Sequence, residues 1–252
     1  MQDAGLARAP SPDHVSLRAL ARAARLPYLS ASVIPTGLGL VAAIDDPQAT
    51  WWVAPLSLAA AALVHTGTNV VNGVVDYERG VDTVAMDGDA RAFVDGELTA
   101  AQGRAFYRLC FAATVLLGLA MVAITGPALL PVGVLGVVAG WSYTGGPFPY
   151  KYHALGEVAI VPLMGPLMAL GGYTAVTGDA WDVDALVLGL VPGLLIGAVV
   201  AGNNLADLEG DRLAGVRTLA ARIGFVLARR LYLALLAAGI LAVPLLVAAG
   251  AA

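Results

Sequence analysis

The chain has one cysteine, one lysine and three histidines, and charged residues make up only 13% of it. A single cysteine, Cys110, excludes an intramolecular disulfide; inside an apolar run it reads as packing. With so little charge, 59% hydrophobic residues and a mean hydropathy of +0.79, the chain is not a water-soluble domain, which has no use for that much apolar surface. The first 25 residues lack the apolar core of a cleavable leader and are polar and rich in arginine. Runs of about ten residues alternating between apolar and polar are missing as well, which excludes a membrane β-barrel.

Long unalternating apolar runs take their place. Seven stretches, near residues 26–44, 51–75, 106–124, 128–143, 158–176, 183–202 and 231–250, approach the roughly 20 residues that a helix rising 1.5 Å per residue needs to cross a bilayer. The expectation is an all-α, multi-pass transmembrane helical bundle, with residues 1–252 forming one domain. Residues 125–127 leave room only for a tight hairpin between the third and fourth spans. Residues 1–25 form a cytoplasmic segment in which Ser16 caps a short helix over 17–25. Leu17, Leu20, Ala21 and Ala24 supply its apolar side and Arg18, Arg22 and Arg25 the other, a pattern for the inner membrane surface.

Cations are also absent from every second loop. With the N-terminus inside, the internal segments hold all 14 Lys and Arg, while the outer loops hold only Asp45, Asp46, Asp179, Asp182 and Asp184. This asymmetry orients the chain with its N-terminus at the cytoplasmic side of the plasma membrane and, after an odd number of spans, its C-terminus outside.

Chemistry concentrates where two apolar runs end. After the sixth run, Asn203, Asp207 and Asp211 follow at i, i+4 and i+8, one face of a continuing helix. After the second run, Asn69, Asn72 and Asp76 share a face, with His65 one turn earlier. Gly80 is a natural stop, beyond which a loop can return Asp82. Carboxylates this close repel and desolvate badly near a membrane unless a cation lies between them. Hard oxygen donors on a short stripe suit Mg²⁺, which takes one or two carboxylates and completes its shell with water and phosphate oxygens. A solvated helix end would explain one such stripe; two argue for one site built from both. Both then face the cytoplasm.

Three further stretches bear on that site. The polar connection over 77–104, with Asp87, Asp89, Arg91, Asp95 and Glu97, is long for a bundle and reads as a lid. Residues 143–157 are broken by prolines and glycines, and Tyr143, Tyr150, Tyr152 and Phe148 surround Lys151, the one lysine, suited to a phosphate oxygen. Gly189, Gly193, Gly197 and Ala201 recur every four residues, a ridge permitting close helix approach.

The wording Thr68-Asn69-x-x-Asn72-x-x-x-Asp76-Tyr77-x-x-Gly80-x-Asp82-Thr83, then Arg91 and Gly96, resembles the first aspartate motif of UbiA-type membrane prenyltransferases. Asn203-Asn204-x-x-Asp207-x-x-x-Asp211-x-x-x-Gly215-x-Arg217-Thr218-Leu219-Ala220-x-Arg222-x-Gly224 resembles their second, and 143–157 their Tyr/Lys loop. Within the superfamily the wording lies nearest the 1,4-dihydroxy-2-naphthoate polyprenyltransferase branch of menaquinone synthesis. The resemblance implies a helical bundle with a central cavity, in which Mg²⁺ binds a polyprenyl diphosphate and an aromatic acceptor is alkylated. It implies Asn72, Asp76, Asp82, Asn203, Asp207 and Asp211 as metal ligands and Asp76, Asp82, Asp207, Asp211 and Lys151 as the catalytic set. Asn69, Asn72, Arg91, Tyr143, Tyr150, Asn203 and Arg217 would contact substrate, and Tyr143, Tyr150 or Tyr152 would face the allylic cation. The chain departs from the family at Gly73, where an acid is usual, at Ala206, where the branch often has Arg, and in having seven spans where nine are general, the last two helices being absent. Lipid is the expected surrounding, nucleic acid is not a partner, and the shortened bundle invites a homo-oligomer. Competing expectations are a UbiA-like terpene cyclase needing no acceptor, an ion-coupled transporter, and a degenerate scaffold.

Overall fold

The computed structural model describes residues 15–81 and 91–248. Among them the regular elements are all helical, as the unalternating runs require.

Helix α1 (Leu17–Ala24) is capped as expected: Ser16 Oγ accepts the Ala19 N–H at 3.1 Å. Its buried face differs from the expected one. Ala19, Ala23 and Ala24 are inside, while Leu17 is 85% exposed. The alanines, lacking bulk, let α1 lie against Val70 and Val74 of α3 (Ala54–Glu78) and against Phe93 of the short α4 (Arg91–Val94). Arg22 closes this corner by reaching Asp95 at 3.1 Å and Glu97. The described part of the polar connection is thus docked on α1; Asp82, Asp87 and Asp89 lie outside the described residues.

The chain continues through a 3₁₀ turn, Leu26–Leu29, into α2 (Ser30–Ala42). Beyond α4 come α5 (Ala100–Thr125), opened by a reciprocal Thr99–Gln102 capping box, and α6 (Leu129–Ser142). The fifth apolar run is two helices, α7 (Gly156–Met164) and α8 (Pro166–Thr177). Pro166 has no N–H to continue α7, and the break is used. A methyl on Gly165 would lie 2.4 Å from the Gly189 carbonyl oxygen, so the kink seats backbone to backbone on α9 (Val183–Ala206). Gly193 does the same against the Val161 oxygen, 2.5 Å from where its methyl would be, so the four-residue ridge is a packing surface as expected. Short helices α10 (Leu208–Leu213) and α11 (Leu219–Ile223) lead into α12 (Phe225–Ala248), which packs along α9.

Among the described residues, five helical segments are long and apolar enough to cross a membrane: Trp51–Glu78, Ala100–Thr125, Gly156–Thr177, Val183–Ala206 and Phe225–Ala248. The first and fourth apolar runs fold as the shorter Leu26–Ala42 and Leu129–Ser142. At 1.5 Å per residue the latter's 14 residues rise about 21 Å, less than the ~30 Å hydrocarbon thickness.

The bundle holds a cavity of about 340 Å³ between α2, α3, α5, α6, α7 and α8. Its wall is almost wholly apolar, and Tyr143 and Tyr150 come from the loop after α6. The motif end of α3 meets that loop at Lys151 and Tyr152, and the motif end of α9 meets the start of α7 at Glu157. At the other end the Thr50 N–H bonds the Val176 carbonyl at 2.7 Å, joining the short acidic turns.

Candidate active site

Asp76 and Asp211 sit in identical local structures. Helix α3 ends at Glu78, and Gly80, at φ +67°, lets its N–H reach the Tyr77 carbonyl at 3.1 Å while the Val81 N–H reaches Asp76's at 2.9 Å. Helix α10 ends the same way. Gly215, at φ +71°, bonds the Arg212 carbonyl at 3.2 Å, and the Val216 N–H bonds Asp211's at 2.8 Å. Both are Schellman caps with the acid as the third residue from the helix end and a buried valine closing the turn. An anion in the last turn of a helix opposes the helix dipole. Each carboxylate is therefore placed where it gains most from a nearby cation.

For Asp76, 2% exposed, that cation is Lys151. Its Nζ donates to Asp76 Oδ2 at 2.8 Å and to Asn72 Oδ1 at 3.1 Å, and the Tyr152 hydroxyl donates to Asp76 Oδ1. Burial alone would lower the pKa of Lys151, but the Asp76 carboxylate more than offsets it, so the ammonium stays charged with its pKa raised. The 143–155 loop is tied for this purpose: the Lys151 N–H bonds the Tyr143 carbonyl at 2.9 Å, and Tyr150–His153 forms a 3₁₀ turn. Tyr143 and Tyr150 pack edge to face, 5.4 Å between centroids, at the cavity wall. Tyr152 anchors Asp76 through its hydroxyl and carries Arg79 on its ring at 4.2 Å.

The second motif is not one continuous helix, contrary to the expected i, i+4, i+8 stripe. Asp207, at φ −86° and ψ 4°, is a one-residue joint between α9 and α10. Hydrogen bonds bridge it, from the Asp207 N–H to Asn203 at 2.9 Å and from the Asp211 N–H to Asp207 at 2.8 Å. The joint separates the rungs: Asn203 and Asp207 are exposed, whereas Asp211 is buried and accepts the Thr218 hydroxyl at 3.0 Å. Burial pushes the Asp211 carboxyl up to about 6, opposed by the Thr218 hydrogen bond and the charge of Lys151, and reinforced by Asp207 and Asp76. Acids of the two motifs therefore share one electrostatic environment.

Other expected site residues are placed as follows. Asn69 donates its amide to the Ala24 carbonyl at 3.0 Å, joining α3 to the end of α1. Arg91 pairs with Asp95 at 3.0 Å and lines a groove with Arg18, Arg22 and Arg25. Arg217 is exposed, and Asp82 lies outside the described residues. Sequence reasoning missed Glu157 and Asn204, which bond each other at 2.8 Å in a buried pair. Asn204 belongs to the second motif, but nothing in the spacing marks Glu157 as its partner.

The donor set consists of carboxylates and amides, the oxygen chemistry Mg²⁺ prefers. Among the described residues no three acids, histidines or cysteines close into a cage.

Residues 32–252 match the profile of the UbiA prenyltransferase family. A 1,4-dihydroxy-2-naphthoate octaprenyltransferase of Mycobacterium tuberculosis is 35% identical over 232 residues, covering 89% of this chain and 77% of that protein. The protein of that name from Escherichia coli is 32% identical, covering 79% of this chain and 68% of its own length. Among solved structures, a UbiA homolog from Archaeoglobus fulgidus bound to GPP and Mg²⁺ aligns with a TM-score of 0.69 at 17% identity, over 89% of this chain and 76% of that one. At that identity the likeness is one of fold.

Proposed function

Since this chain belongs to the UbiA prenyltransferase family, we propose that it transfers a polyprenyl group from its diphosphate to a dihydroxynaphthoate-type aromatic acceptor. The reaction is Mg²⁺-dependent and takes place at the cytoplasmic face of the membrane. The observation carrying this reading is the union of Lys151, Asn72 and Asp76 beside an apolar cavity whose wall includes Tyr143 and Tyr150. Names of the relatives supply the acceptor class.

Asp207 and Asp211, with Asn72, Asp76 and Asn203, would hold Mg²⁺; Asp82 is proposed with them from the motif alone. Bound there, the ion supplies Lewis-acid stabilisation of the departing diphosphate. Lys151 has three donors. Asn72 and Asp76 use two, orienting the ammonium and leaving one for a phosphate oxygen; Arg217 and Arg91 are proposed as further cations from the motif alone. The cavity takes the prenyl tail and excludes water from the allylic cation. The rings of Tyr143 and Tyr150 stabilise that cation through their faces. One domain over residues 1–252, an outward C-terminus and self-association complete the reading.

To test it, the purified protein is incubated with Mg²⁺, labelled prenyl diphosphates of several lengths and a panel of hydroxylated aromatic acids. A prenylated aromatic product with stoichiometric pyrophosphate is expected. Neither product nor pyrophosphate would overturn the reading, and a cyclised terpene formed without acceptor would replace it with the cyclase.

The position of Asp211 sets a pH dependence. A carboxyl raised to about 6 is ionised above that pH and protonated below it, and only the ionised form ligates a metal. The Mg²⁺ concentration giving half-maximal rate is expected to rise about tenfold from pH 7 to pH 5. A magnesium titration that superimposes at the two pH values removes Asp211 from the ligand set.

A further inference from the structure

Glu157 has a carboxylate oxygen with no partner. The residue is 3% exposed; Oε1 accepts the Asn204 amide at 2.8 Å, while Oε2 is buried without a hydrogen bond. Its place in the first turn of α7 favours a negative charge there but leaves that oxygen unsatisfied. A buried acceptor left without a donor is rare in folded chains and calls for one.

Its surroundings indicate where the donor comes from. On the same face of α7, at i+3 and i+7, Ile160 and Met164 line the apolar cavity. The ring of Tyr143, also in that wall, stands 3.6 Å from where a methyl on the neighbouring Gly156 would be. The charges of Lys151, Asp76 and Glu157 all act on its hydroxyl. Glu157 is thus buried one helical turn from Ile160 of the cavity wall and next in sequence to Gly156, which faces the Tyr143 ring. There an aromatic ring has to meet the first carbon of a prenyl chain whose diphosphate is at Lys151.

We propose that Glu157 Oε2 accepts a hydrogen bond from a ring hydroxyl of the aromatic substrate, with Asn204 holding the carboxylate in place. The inference rests on the prenyl-transfer reading and adds to it the residue that selects a hydroxylated ring. A hydroxyl so held also donates electron density to the ring carbon that attacks.

Glu157→Gln keeps the oxygen that Asn204 uses and turns the other into an amide, which donates instead of accepting. With 1,4-dihydroxy-2-naphthoate and labelled geranyl diphosphate as probes, the expected result is a rise of tenfold or more in KM for the naphthoate and less than a twofold change in KM for the diphosphate. Unchanged naphthoate KM overturns the proposal. Equal losses for both substrates overturn it as well, because they assign Glu157 a structural role.

Should the variant fail to fold, the wild-type protein decides. 2-Naphthoate, which lacks the ring hydroxyls, is expected to compete at least tenfold less well than the dihydroxy compound, and equal competition overturns the proposal. A wild-type protein releasing no pyrophosphate under any condition refutes the prenyl-transfer reading instead. Direct binding of the two naphthoates to the wild type and to Glu157→Gln, by their effect on thermal unfolding, still tests Glu157 in that case.

Discussion

Asp76→Ala is expected to abolish Mg²⁺-dependent pyrophosphate release, a loss of about a thousandfold or more, or ~4 kcal/mol of barrier. It is also expected to destabilise the fold. The side chain of Lys151 is only 13% exposed and that of Asp76 3%. Removing one partner of such a pair leaves a buried charge uncompensated, at about 3–5 kcal/mol. Tyr152 loses its acceptor at the same time. The loss of activity therefore needs separating from the loss of structure, and the double variant Asp76→Ala/Lys151→Met does that. It removes both charges, so thermal unfolding in detergent should recover much of the stability, while pyrophosphate release stays lost.

Asp207→Ala provides the complementary case. Asp207 is exposed at the α9–α10 joint, so its removal leaves no buried charge behind. Activity should fall as far as with Asp76→Ala, with a smaller drop in the unfolding midpoint. Wild-type pyrophosphate release in either single variant, or recovery of release in the double one, contradicts the assignment of these acids.

Gly39→Ala is expected to cost the most stability of any single methyl added to the bundle. That methyl would lie 1.7 Å from the Ala169 carbonyl oxygen and 2.6 Å from its carbon. These are backbone atoms that no side-chain rotation can move. One step along the same contact, a methyl on Gly172 would lie 2.2 Å from the Thr36 oxygen. Helices α2 and α8 consequently touch backbone to backbone, and an added methyl has to force them apart. Overpacking costs typically about 1–3 kcal/mol, and a clash this deep belongs at the upper limit or beyond. For a chain of this size that lowers the unfolding midpoint by on the order of 10 °C.

Gly37, two residues away in α2, has nothing within 4 Å of its added methyl. Gly37→Ala should be neutral or stabilising by up to about 1 kcal/mol, from helix propensity alone. Equal midpoints for the two variants would mean that α2 and α8 do not pack this closely. Since Thr36, Met168 and Gly171 from these helices line the cavity, Gly39→Ala should also impair turnover of long-chain diphosphates.

Much of the site can be read from local signals. Gly80 and Gly215 each follow an aspartate by four residues and precede a valine, which suffices to predict two helix ends carrying an acid apiece. Ser16 and the alanines behind it specify a short capped helix, although leucine content misled on its buried face. Asn69 shares a helical face with Asn72 and Asp76, yet the approach of α1 diverts it to the Ala24 carbonyl. The four-residue spacing singles out Asn203, which is exposed, whereas its neighbour Asn204, on the inward side of α9, is the one that meets Glu157.

By itself the sequence determined the helical class, the apolar segments, the Ser16 cap and the stop at Gly80. Hydropathy, periodicity and turn residues act over a few positions and need no partner from elsewhere. Tertiary structure decided which side chains meet: Lys151 with Asp76 across 75 residues and with Asn72 across 79, and Asn204 with Glu157 across 47. The reason is physical. Those contacts depend on how closely helices approach, and that follows from glycine backbone contacts and from the kink at Gly165, which set distances between segments that no local pattern encodes.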